Sequence, residues 1–303
     1  MNGPFCLVVN PAAGRGRALR ALRDAAAALD AAGAAYQVAT SASMQDAREI
    51  AGRAAAGGHV VVAVGGDGTA GALAGVAAGG GSGFGIVPAG NGNDFARSLG
   101  IPASGAAAAR VLTAGRERRV DLIGVGVPGR AEVIVAGSVY AGIPSVAGEI
   151  ANRMPWLRGP AVYPVAALRA LARWAPAGFR VETGSGAEEC AGYAVVVANT
   201  AYFGAGMKVA PSAEAGDGML DVLTMRHAPR LVFLRVLTKI RTGAHVGLPQ
   251  ISQDRGSEVT VTVDRDLPVA ADGETLPWAS PLPAGTPLRA RALPGALRVL
   301  VPA

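Results

Sequence analysis

The segment from His59 to Thr69 constrains the fold of this chain more than any other part of the sequence. It reads His-Val-Val-Val-Ala-Val-Gly-Gly-Asp-Gly-Thr, so a β-branched apolar run ends in glycines, and a proline-free stretch typical of a helix follows at 70–78. A strand, a glycine turn and a helix in this order direct backbone N–H groups and a helix N-terminus toward one point. The segment therefore predicts a phosphate-binding turn.

Asp67, inside this turn, limits which phosphate can bind there. A carboxylate repels a bare phosphate, but it is favourable where a divalent cation lies between the two, directly or through water. We therefore interpret the turn as the site of a nucleoside triphosphate bound with Mg²⁺.

The first 115 residues alternate predicted strands and helices. Short buried strands separated by helices indicate right-handed crossovers and a parallel sheet. The strands are expected at 5–9, 35–40, 59–64 and 83–87, and the helices at 17–32, 42–56, 70–77 and 93–99. Ligands of such sheets bind at the carboxyl ends of the strands, which is where the turns 10–14, 65–69 and 88–94 lie.

From about Arg116 the pattern changes to apolar, strand-like runs with few helices. This pattern predicts a second, largely antiparallel domain, a β-sandwich. Its strands are expected at 117–125, 131–139, 180–183, 192–198, 219–225, 259–263 and 288–301, with helical insertions at 145–175 and 230–242. Domains are accordingly expected at 1–118 and 119–303, with the C-terminal residues able to pack back on the first.

Composition limits the partners and the cellular location expected for this chain. Lys and Arg outnumber Asp and Glu by 28 to 22, a net charge of +6. This charge suits nucleic acid, an anionic membrane or phosphate-bearing ligands, but no basic stretch with interleaved aromatics supports nucleic acid. No apolar run of about eighteen residues predicts a membrane span. The two cysteines lie in strand-like segments and form no disulfide framework, so we expect a cytoplasmic protein.

A second turn of glycines and an acid, Gly90 to Arg97, follows the next predicted strand. Asn93 and Asp94 could act only as caps of the helix that begins there, since both residue types are good caps. They could also form a second phosphate and metal corner that faces Asp67. Two such turns after neighbouring strands are a more specific signal than either turn alone.

Two acidic segments in the second half of the chain are also candidate functional sites. Asp272-Gly-Glu274 could supply a general base for a hydroxyl nucleophile, but Asp-Gly is the commonest hairpin turn, and the spacing by itself favours the turn. Asp217 lies in an irregular loop before a strand, where side-chain and backbone oxygens can bind Ca²⁺ or Mg²⁺. Asp221, on that strand, is the weaker candidate.

Several familiar motifs are weak or absent. The segment Gly66 to Gly71 fits GxGxxG, but it follows the third predicted strand rather than the first. The sequence contains no Walker A segment and no GxSxG elbow. His59, His227 and His245 are scattered, and we interpret them as surface or core residues rather than a metal site or a triad.

Taken together, these segments resemble the diacylglycerol kinase catalytic family, specifically bacterial soluble lipid kinases that are similar to sphingosine and ceramide kinases. The matching segments follow the family's order over almost the whole chain: Asn10-Pro-x-x-Gly14, Gly65-Gly-Asp-Gly-Thr69, Gly92-Asn-Asp94, Asp121, Asn199, Ala210-Pro-x-Ala, Asp217-Gly-x-Leu-Asp221 and Asp272-Gly-Glu274. The resemblance implies an N-terminal α/β domain like that of 6-phosphofructokinases and NAD kinases, a C-terminal antiparallel β-sandwich, and ATP in the cleft between them.

The resemblance also implies residue roles. The residues that would hold the nucleotide and its phosphates are Asn10, Gly14, Thr40, Gly65, Gly66, Asp67, Gly68, Thr69, Gly90, Gly92, Asn93 and Asp94. Among these, Asp67 and Asp94 would organise the Mg²⁺. Asp272 would take the proton of the acceptor hydroxyl with Glu274 in support, so the resemblance favours a base where the spacing favoured a turn. Asp217 and nearby carbonyls, including that of Met219, would hold a structural divalent ion.

Three positions depart from the family pattern. Asn91 stands where the family often has Thr, and Gly137 or a neighbour stands where it has Asn. Gly216 replaces the first acid of the usual Asp-Asp-Gly, which weakens the case for the structural ion more than the case for kinase activity.

The resulting hypothesis is an ATP-dependent lipid kinase that transfers the γ-phosphoryl group to the hydroxyl of diacylglycerol or a similar lipid. The alternatives are a catalytically silent relative that binds nucleotide or lipid, and a kinase for a non-lipid hydrophobic alcohol or for NAD. The oligomeric state, including a homodimer, stays open.

A lipid substrate implies transient docking at the inner face of the membrane. The segment 152–158 and the helix 162–174 suit this role, because Val165, Leu168 and Leu171 share a face while Arg169 and Arg173 form a basic strip. The alternative is a helix that only covers one edge of the sandwich.

Overall fold

The computed structural model describes residues 3–11, 16–154, 162–276, 278 and 281–303. The chain divides into two compact units, Met1–Leu122 with Pro294–Ala303, and Ile123–Leu293. It leaves the first unit within strand β5 (Arg116–Gly126) and returns to it within strand β15 (Leu288–Val301). The division therefore falls four residues after the one expected from sequence, and residues 294–303 belong to the first unit.

Parallel strands and helices alternate in the first unit. The strands are β1 (Phe5–Val9), β2 (Tyr36–Thr40), β3 (Val60–Gly65) and β4 (Gly83–Pro88). The helices are α1 (Arg17–Ala31), α2 (Met44–Ala56), α3 (Asp67–Gly79), α4 (Asp94–Ser98) and α5 (Gly105–Ala114). The predicted alternation is confirmed, although the sequence pattern did not indicate α5.

The sheet of this unit has the order β2-β1-β3-β4, and the last part of β15 pairs with β4 in the same direction. Every residue of β1, β3 and β4 is buried. Strands buried on both faces read as continuous apolar runs, which is why these segments could be predicted from the sequence.

The second unit is dominated by antiparallel strands. They are β6 (Val133–Val135), β7 (Ser138–Gly142), β8 (Ala177–Thr183), β9 (Gly186–Ala198), β10 (Leu220–Arg226), β11 (Ile251–Gly256), β12 (Glu258–Val263), β13 (Val269–Ala271) and β14 (Glu274–Thr275). The helices are α6 (Ile143–Asn152), α7 (Val162–Arg173), α8 (Arg230–Lys239) and a short 3-10 helix, Ala244–Gly247.

Strand β9 organises the second unit, since it pairs with β8, β7 and β10. Strand β12 joins β8 to the first part of β15, and β13 joins β7 to β14. One prediction needs correction here. The expected strand 131–139 is two strands, β6 and β7. The expected helical insertion 145–175 contains the helices α6 and α7.

Candidate active site

The predicted nucleotide-binding turns lie at one edge of the first unit's sheet. Val9 is in register with Thr40 and with Val64, and Gly65 with Pro88. The residues that follow β1, β3 and β4 therefore leave the sheet side by side. Asn10 is half-buried and Thr40 is exposed, whereas Gly14 lies outside the described residues.

The turns after β3 and β4 contact each other through glycine backbone. A Cβ atom on Gly66 would lie 3.1 Å from the Cα of Gly90, and one on Gly90 would lie 2.5 Å from the Cα of Gly66. The N–H of Ala89 donates to the carbonyl of Gly65 at 2.7 Å. Thr69 covers Gly65, where a Cβ atom would lie 2.7 Å from the Thr69 Oγ1. Packing therefore requires glycine in both turns, and Gly68 follows within α3.

The carboxylate of Asp67, the first residue of α3, joins the two turns. Its Oδ1 accepts a hydrogen bond of 3.0 Å from the N–H of Phe95, in the first turn of α4. Burial raises the pKa of Asp67, and the N–H groups of Phe95, Asp94 and Asn93 offset only part of that rise. The surroundings thus disfavour the charged carboxylate, which a nearby cation would stabilise.

Asn93 precedes α4, but its side chain makes no capping hydrogen bond to that helix. Asn93 adopts a left-handed backbone with φ of 53°, a conformation that Asn tolerates better than most residues. Its Oδ1 accepts from the N–H of Gly90 at 2.7 Å, and its Nδ2 donates to the Gly90 carbonyl at 3.2 Å. The loop that contains Gly92 is thereby closed on itself. Asp94 is buried at the first position of α4.

In the second unit, Asp272 and Gly273 form a two-residue turn between β13 and β14. Their φ angles are 48° and 86°, and Ala271 pairs with Glu274 across the turn. Positive φ at both central residues is the hairpin geometry for which Asp-Gly is favoured. The local spacing therefore predicted the backbone correctly. Glu274 is exposed.

The Asp272 carboxylate also accepts hydrogen bonds from the main chain between β6 and β7. Its Oδ1 accepts from the N–H groups of Gly137 and Ser138 at 2.9 and 3.0 Å, and its Oδ2 accepts from the N–H of Ala136 at 2.8 Å. A Cβ atom on Gly137 would lie 2.8 Å from the Asp272 Oδ1. Gly137, which departs from the family pattern, thus allows the carboxylate to approach.

Asn199 holds the same segment of main chain. Its N–H donates to the carbonyl of Gly137 at 2.8 Å, and its Nδ2 donates to the carbonyl of Ala136 at 2.9 Å. Asn199 is completely buried. The segment 136–138 is therefore fixed by two side chains, and the orientation of the Asp272 carboxylate is fixed with it.

Tyr140, on β7, was not indicated by the sequence pattern, yet it contacts the Asp272 turn. The N–H of Gly273 donates to the Tyr140 Oη at 3.0 Å. Burial raises the pKa of Tyr140 well above its ordinary value, and the nearby Tyr163, Asp272 and Glu274 raise it further. The hydroxyl therefore stays protonated at neutral pH.

An apolar cavity begins next to Tyr140. The ring centroid of Tyr140 lies 4.3 Å from that of Phe203, and Phe203 lines a cavity of about 80 Å³. Tyr163 and His245 are the polar side chains among its described lining residues, which are otherwise apolar. The Nε2 of His245 lies 3.0 Å from the carbonyl of Val209. The second unit thus has a fixed carboxylate close to a cavity suited to hydrocarbon.

In the loop expected to hold a structural ion, an arginine pairs with both acids. Arg255 pairs with Asp217 through Nη2, and its Nε lies 3.3 Å from the Oδ2 of Asp221. The N–H of Met219 donates to the Asp217 Oδ1 at 2.9 Å, and the Ser212 hydroxyl donates to the Oδ1 of Asp221. Within the described ranges, no group of three or more His, Cys, Asp or Glu residues could hold a metal ion. The Arg255 guanidinium thus neutralises both acids of this loop, and the structural ion stays a prediction.

The predicted membrane-facing helix is only partly exposed. In α7, Leu171 is buried and Val165 packs against the same apolar cluster, whereas Leu168 is 38% exposed. The segment 155–158 lies outside the described residues. In the part of the chain that the structure describes, no helix is long and apolar enough to cross a membrane.

Comparison with known proteins identifies the family. The diacylglycerol kinase catalytic domain model matches residues 4–125, and the YegS C-terminal NAD kinase beta sandwich-like domain model matches residues 137–301. A diacylglycerol kinase from Mycobacterium tuberculosis is 34% identical over 304 residues, which span 99% of this chain and 96% of the relative. The chain belongs to the diacylglycerol kinase catalytic-domain family. Membership confirms the predicted fold class and the predicted reaction class, an ATP-dependent phosphotransferase with an alcohol acceptor.

Other relatives agree with this assignment. A Pseudomonas fluorescens protein named "Probable lipid kinase YegS-like" is 30% identical and covers 93% of this chain and 90% of its own length. A crystal structure of a diacylglycerol kinase from Bacillus anthracis has a TM-score of 0.71 and 20% identity, and the match covers 98% of this chain and 96% of that one. The second comparison shows the shared fold.

Proposed function

We propose that this protein phosphorylates the hydroxyl of diacylglycerol or a similar lipid, with Mg²⁺ bound to ATP and Asp272 as the general base. Family membership supports the kinase, and the names of the relatives support a lipid acceptor. The observation that carries the acceptor class is the apolar cavity, which is linked to the Asp272 turn through Tyr140 and Phe203.

The first unit would hold the nucleotide. The residues proposed for this role are Asn10, Gly14, Thr40, Gly65–Thr69, Gly90 and Gly92–Asp94. The contact between Gly66 and Gly90 supports this role, because a turn without side chains lets a phosphate approach the backbone closely.

Asp67 and Asp94 fit a magnesium-bound phosphate. Both follow neighbouring strands of one sheet, and Mg²⁺ prefers oxygen ligands, often one or two carboxylates with waters and phosphates. Burial raises the pKa of Asp67, and a nearby cation would favour the charged carboxylate. When bound, the metal would neutralise charge that develops on the phosphoryl oxygens.

Asp272 would accept the proton of the lipid hydroxyl at a carboxylate oxygen. The hydroxyl oxygen then forms a bond to the γ-phosphorus, while the bond from that phosphorus to the leaving oxygen of ADP breaks. Backbone N–H groups hold the carboxylate in one orientation, and a positioned base typically contributes about 10²–10⁴-fold to the rate. Glu274 would support the base from the other end of the turn.

The lipid would place hydrocarbon in the cavity of the second unit and its hydroxyl near Asp272. The apolar lining of this cavity favours an uncharged hydrocarbon chain of the acceptor, whereas a phosphorylated or strongly polar acceptor gains no binding free energy there. The enzyme would therefore work as a peripheral protein at an anionic bilayer.

A direct test uses the full chain with radiolabelled ATP and Mg²⁺, and separates the products by thin-layer chromatography. The acceptor panel contains diacylglycerol, a sphingoid base, a ceramide, phosphatidylglycerol, NAD and a water-soluble alcohol. We expect label in a lipid product, and we expect chelation of Mg²⁺ to abolish it. Label only in NAD or in the soluble alcohol would refute the lipid acceptor, and nucleotide binding without any product would indicate a silent relative.

A further inference from the structure

The net positive charge of the chain comes from two stretches without acidic residues. Residues 150–181 and 222–253 contain ten of the 28 Lys and Arg residues and none of the 22 Asp and Glu residues. The remainder of the chain therefore has more acidic than basic residues. Both stretches belong to the second unit and include α7 and α8. Arg153, Arg180 and Arg226 of these stretches pair with glutamates outside them.

Helix α8 has apolar residues on two faces. On one face, Phe233, Val236 and Ile240 are buried and line the apolar cavity. On the other, Leu231 is 77% exposed and Leu234 is 43% exposed. A surface helix normally has one apolar stripe and a polar opposite face, so packing within the second unit does not account for the outer leucines.

The outer leucines lie beside basic residues. Leu231, Arg235 and Lys239 are spaced four residues apart and therefore follow one line along α8, and Leu234 is next to that line. Arg235 and Lys239 are exposed. Across the described residues, neither of them forms an ion pair with a carboxylate.

We propose that this outer face of α8 (Leu231, Leu234, Arg235 and Lys239) docks on an anionic lipid bilayer. Leucines that insert into the headgroup boundary, flanked by cations that contact anionic lipid, are the combination by which interfacial helices bind membranes. Because the inner face of the same helix lines the cavity, docking brings the cavity wall to the membrane that contains the acceptor. This inference rests on the proposed lipid kinase function.

Charge complementarity favours a bilayer over a second copy of the chain. A two-fold symmetric contact would place this basic face against itself, because such interfaces use the same patch on both subunits. The like charges of Arg235 and Lys239 would then repel. An anionic membrane surface instead attracts them.

The test measures vesicle binding without ATP, so that it does not depend on catalysis. The purified full chain is sedimented with vesicles of phosphatidylcholine alone or of phosphatidylcholine with phosphatidylglycerol. The variants are Leu231→Ser with Leu234→Ser, and Arg235→Gln with Lys239→Gln. The matched control is Leu19→Ser with Arg20→Gln on α1, where Leu19 is 47% exposed.

Wild type and the α1 control should bind the anionic vesicles and lose binding at about 0.5 M salt, where exposed charges are screened. Each α8 double variant should bind at least about tenfold more weakly, with an unchanged melting temperature because the replaced side chains are exposed. Phosphorylation of long-chain diacylglycerol in anionic vesicles should fall in parallel. Activity on dioctanoylglycerol in detergent micelles should stay near that of wild type.

Unchanged vesicle binding of the α8 variants would overturn the docking face, as would an equal loss in the α1 control. A dimer of the wild type that dissociates in the leucine variant, seen by size exclusion with light scattering, would assign the face to a second copy. Failure of the lipid kinase function would look different, because the protein would then bind vesicles through α8 and phosphorylate no lipid.

Discussion

Replacing Arg255 by Gln tests whether a guanidinium, rather than a divalent ion, holds the loop that contains Asp217 and Asp221. The side chain of Asp221 is only 4% exposed, that of Asp217 is 29% exposed, and Arg255 contacts both. Removal of the arginine leaves a buried carboxylate without its cationic partner. Such a loss costs about 1–3 kcal/mol, and since Arg255 itself is 44% exposed and screened by solvent, we expect about 2 kcal/mol.

A chain of this size loses about 2–4 °C of melting temperature for each kcal/mol, so Arg255→Gln should melt about 4–8 °C below wild type. Arg291→Gln is the matched control. Arg291 also pairs with a carboxylate of the second unit, at 2.7 Å, but the side chain of that partner, Glu132, is 35% exposed. An exposed pair contributes about 0–1 kcal/mol, and the control should therefore change the melting temperature less.

Thermal melts with and without about 10 mM Ca²⁺ or Mg²⁺ complete the test, since hard cations bind carboxylate oxygens that the arginine no longer neutralises. The cation should raise the melting temperature of Arg255→Gln by more than it raises that of wild type or Arg291→Gln. Equal stability of the two variants, or equal stabilisation of wild type and Arg255→Gln by the cation, would refute this role of Arg255.

Three further predictions concern the two units separately. Gly90→Ala should destabilise the chain by about 1–3 kcal/mol and weaken nucleotide binding, because its Cβ would overlap the neighbouring turn. Gly79→Ala, with open space at its Cβ, should leave the free energy of urea unfolding unchanged. Equal effects of the two substitutions would contradict the close contact at Gly90. Because the pKa of Asp67 is raised, the folded state binds that proton more tightly than the unfolded state, and stability is lost as pH rises through the raised pKa. Asp67→Asn should thus melt at a higher temperature than wild type at about pH 7 and should lose kinase activity. The difference in melting temperature should disappear toward about pH 4, near the ordinary pKa of a carboxyl group. A variant that is less stable than wild type at neutral pH would instead make Asp67 a structural cap. Burial lowers the pKa of His245, so the stability that the neutral imidazole contributes is complete above its ordinary pKa and is lost as pH falls below it. His245→Gln should therefore lose less stability than wild type between about pH 7 and pH 5. Identical stability profiles against pH would show that His245 is not the source of this loss.

The parts of the fold that could be predicted were those with a strong local signal. Strands β1 and β15 were predicted to the residue because each is a nearly uninterrupted apolar or alternating run. The signal of α5 was weaker, since its alanine-rich sequence lacks a clear apolar period. A capping serine, Ser104, precedes it and accepts from the N–H of Ala107, and this was the local feature that could have indicated the helix.

The parts of the site that could not be predicted depend on contacts between distant residues. The expected strand 131–139 is interrupted at 136–137, where the backbone bonds to Asp272 and Asn199 instead of continuing one ladder. Arg255 meets Asp221 because β10 and β11 place them in register. No local pattern contains these pairings, so the sequence indicated the acids but not Tyr140, Arg255 or the contact of Gly137 with Asp272.

The most direct test of the central claim compares phosphoryl transfer and nucleotide binding in Asp272→Asn. The control is Asp266→Asn, since Asp266 also accepts a backbone N–H, that of Ala284, in the second unit. We predict that Asp272→Asn lowers kcat by at least about 10²-fold, the usual contribution of a general base, while the Kd for ATP stays close to that of wild type and Asp266→Asn keeps its activity. A kcat within about tenfold of wild type, or a parallel loss of ATP binding, would contradict the assignment of Asp272 as the base.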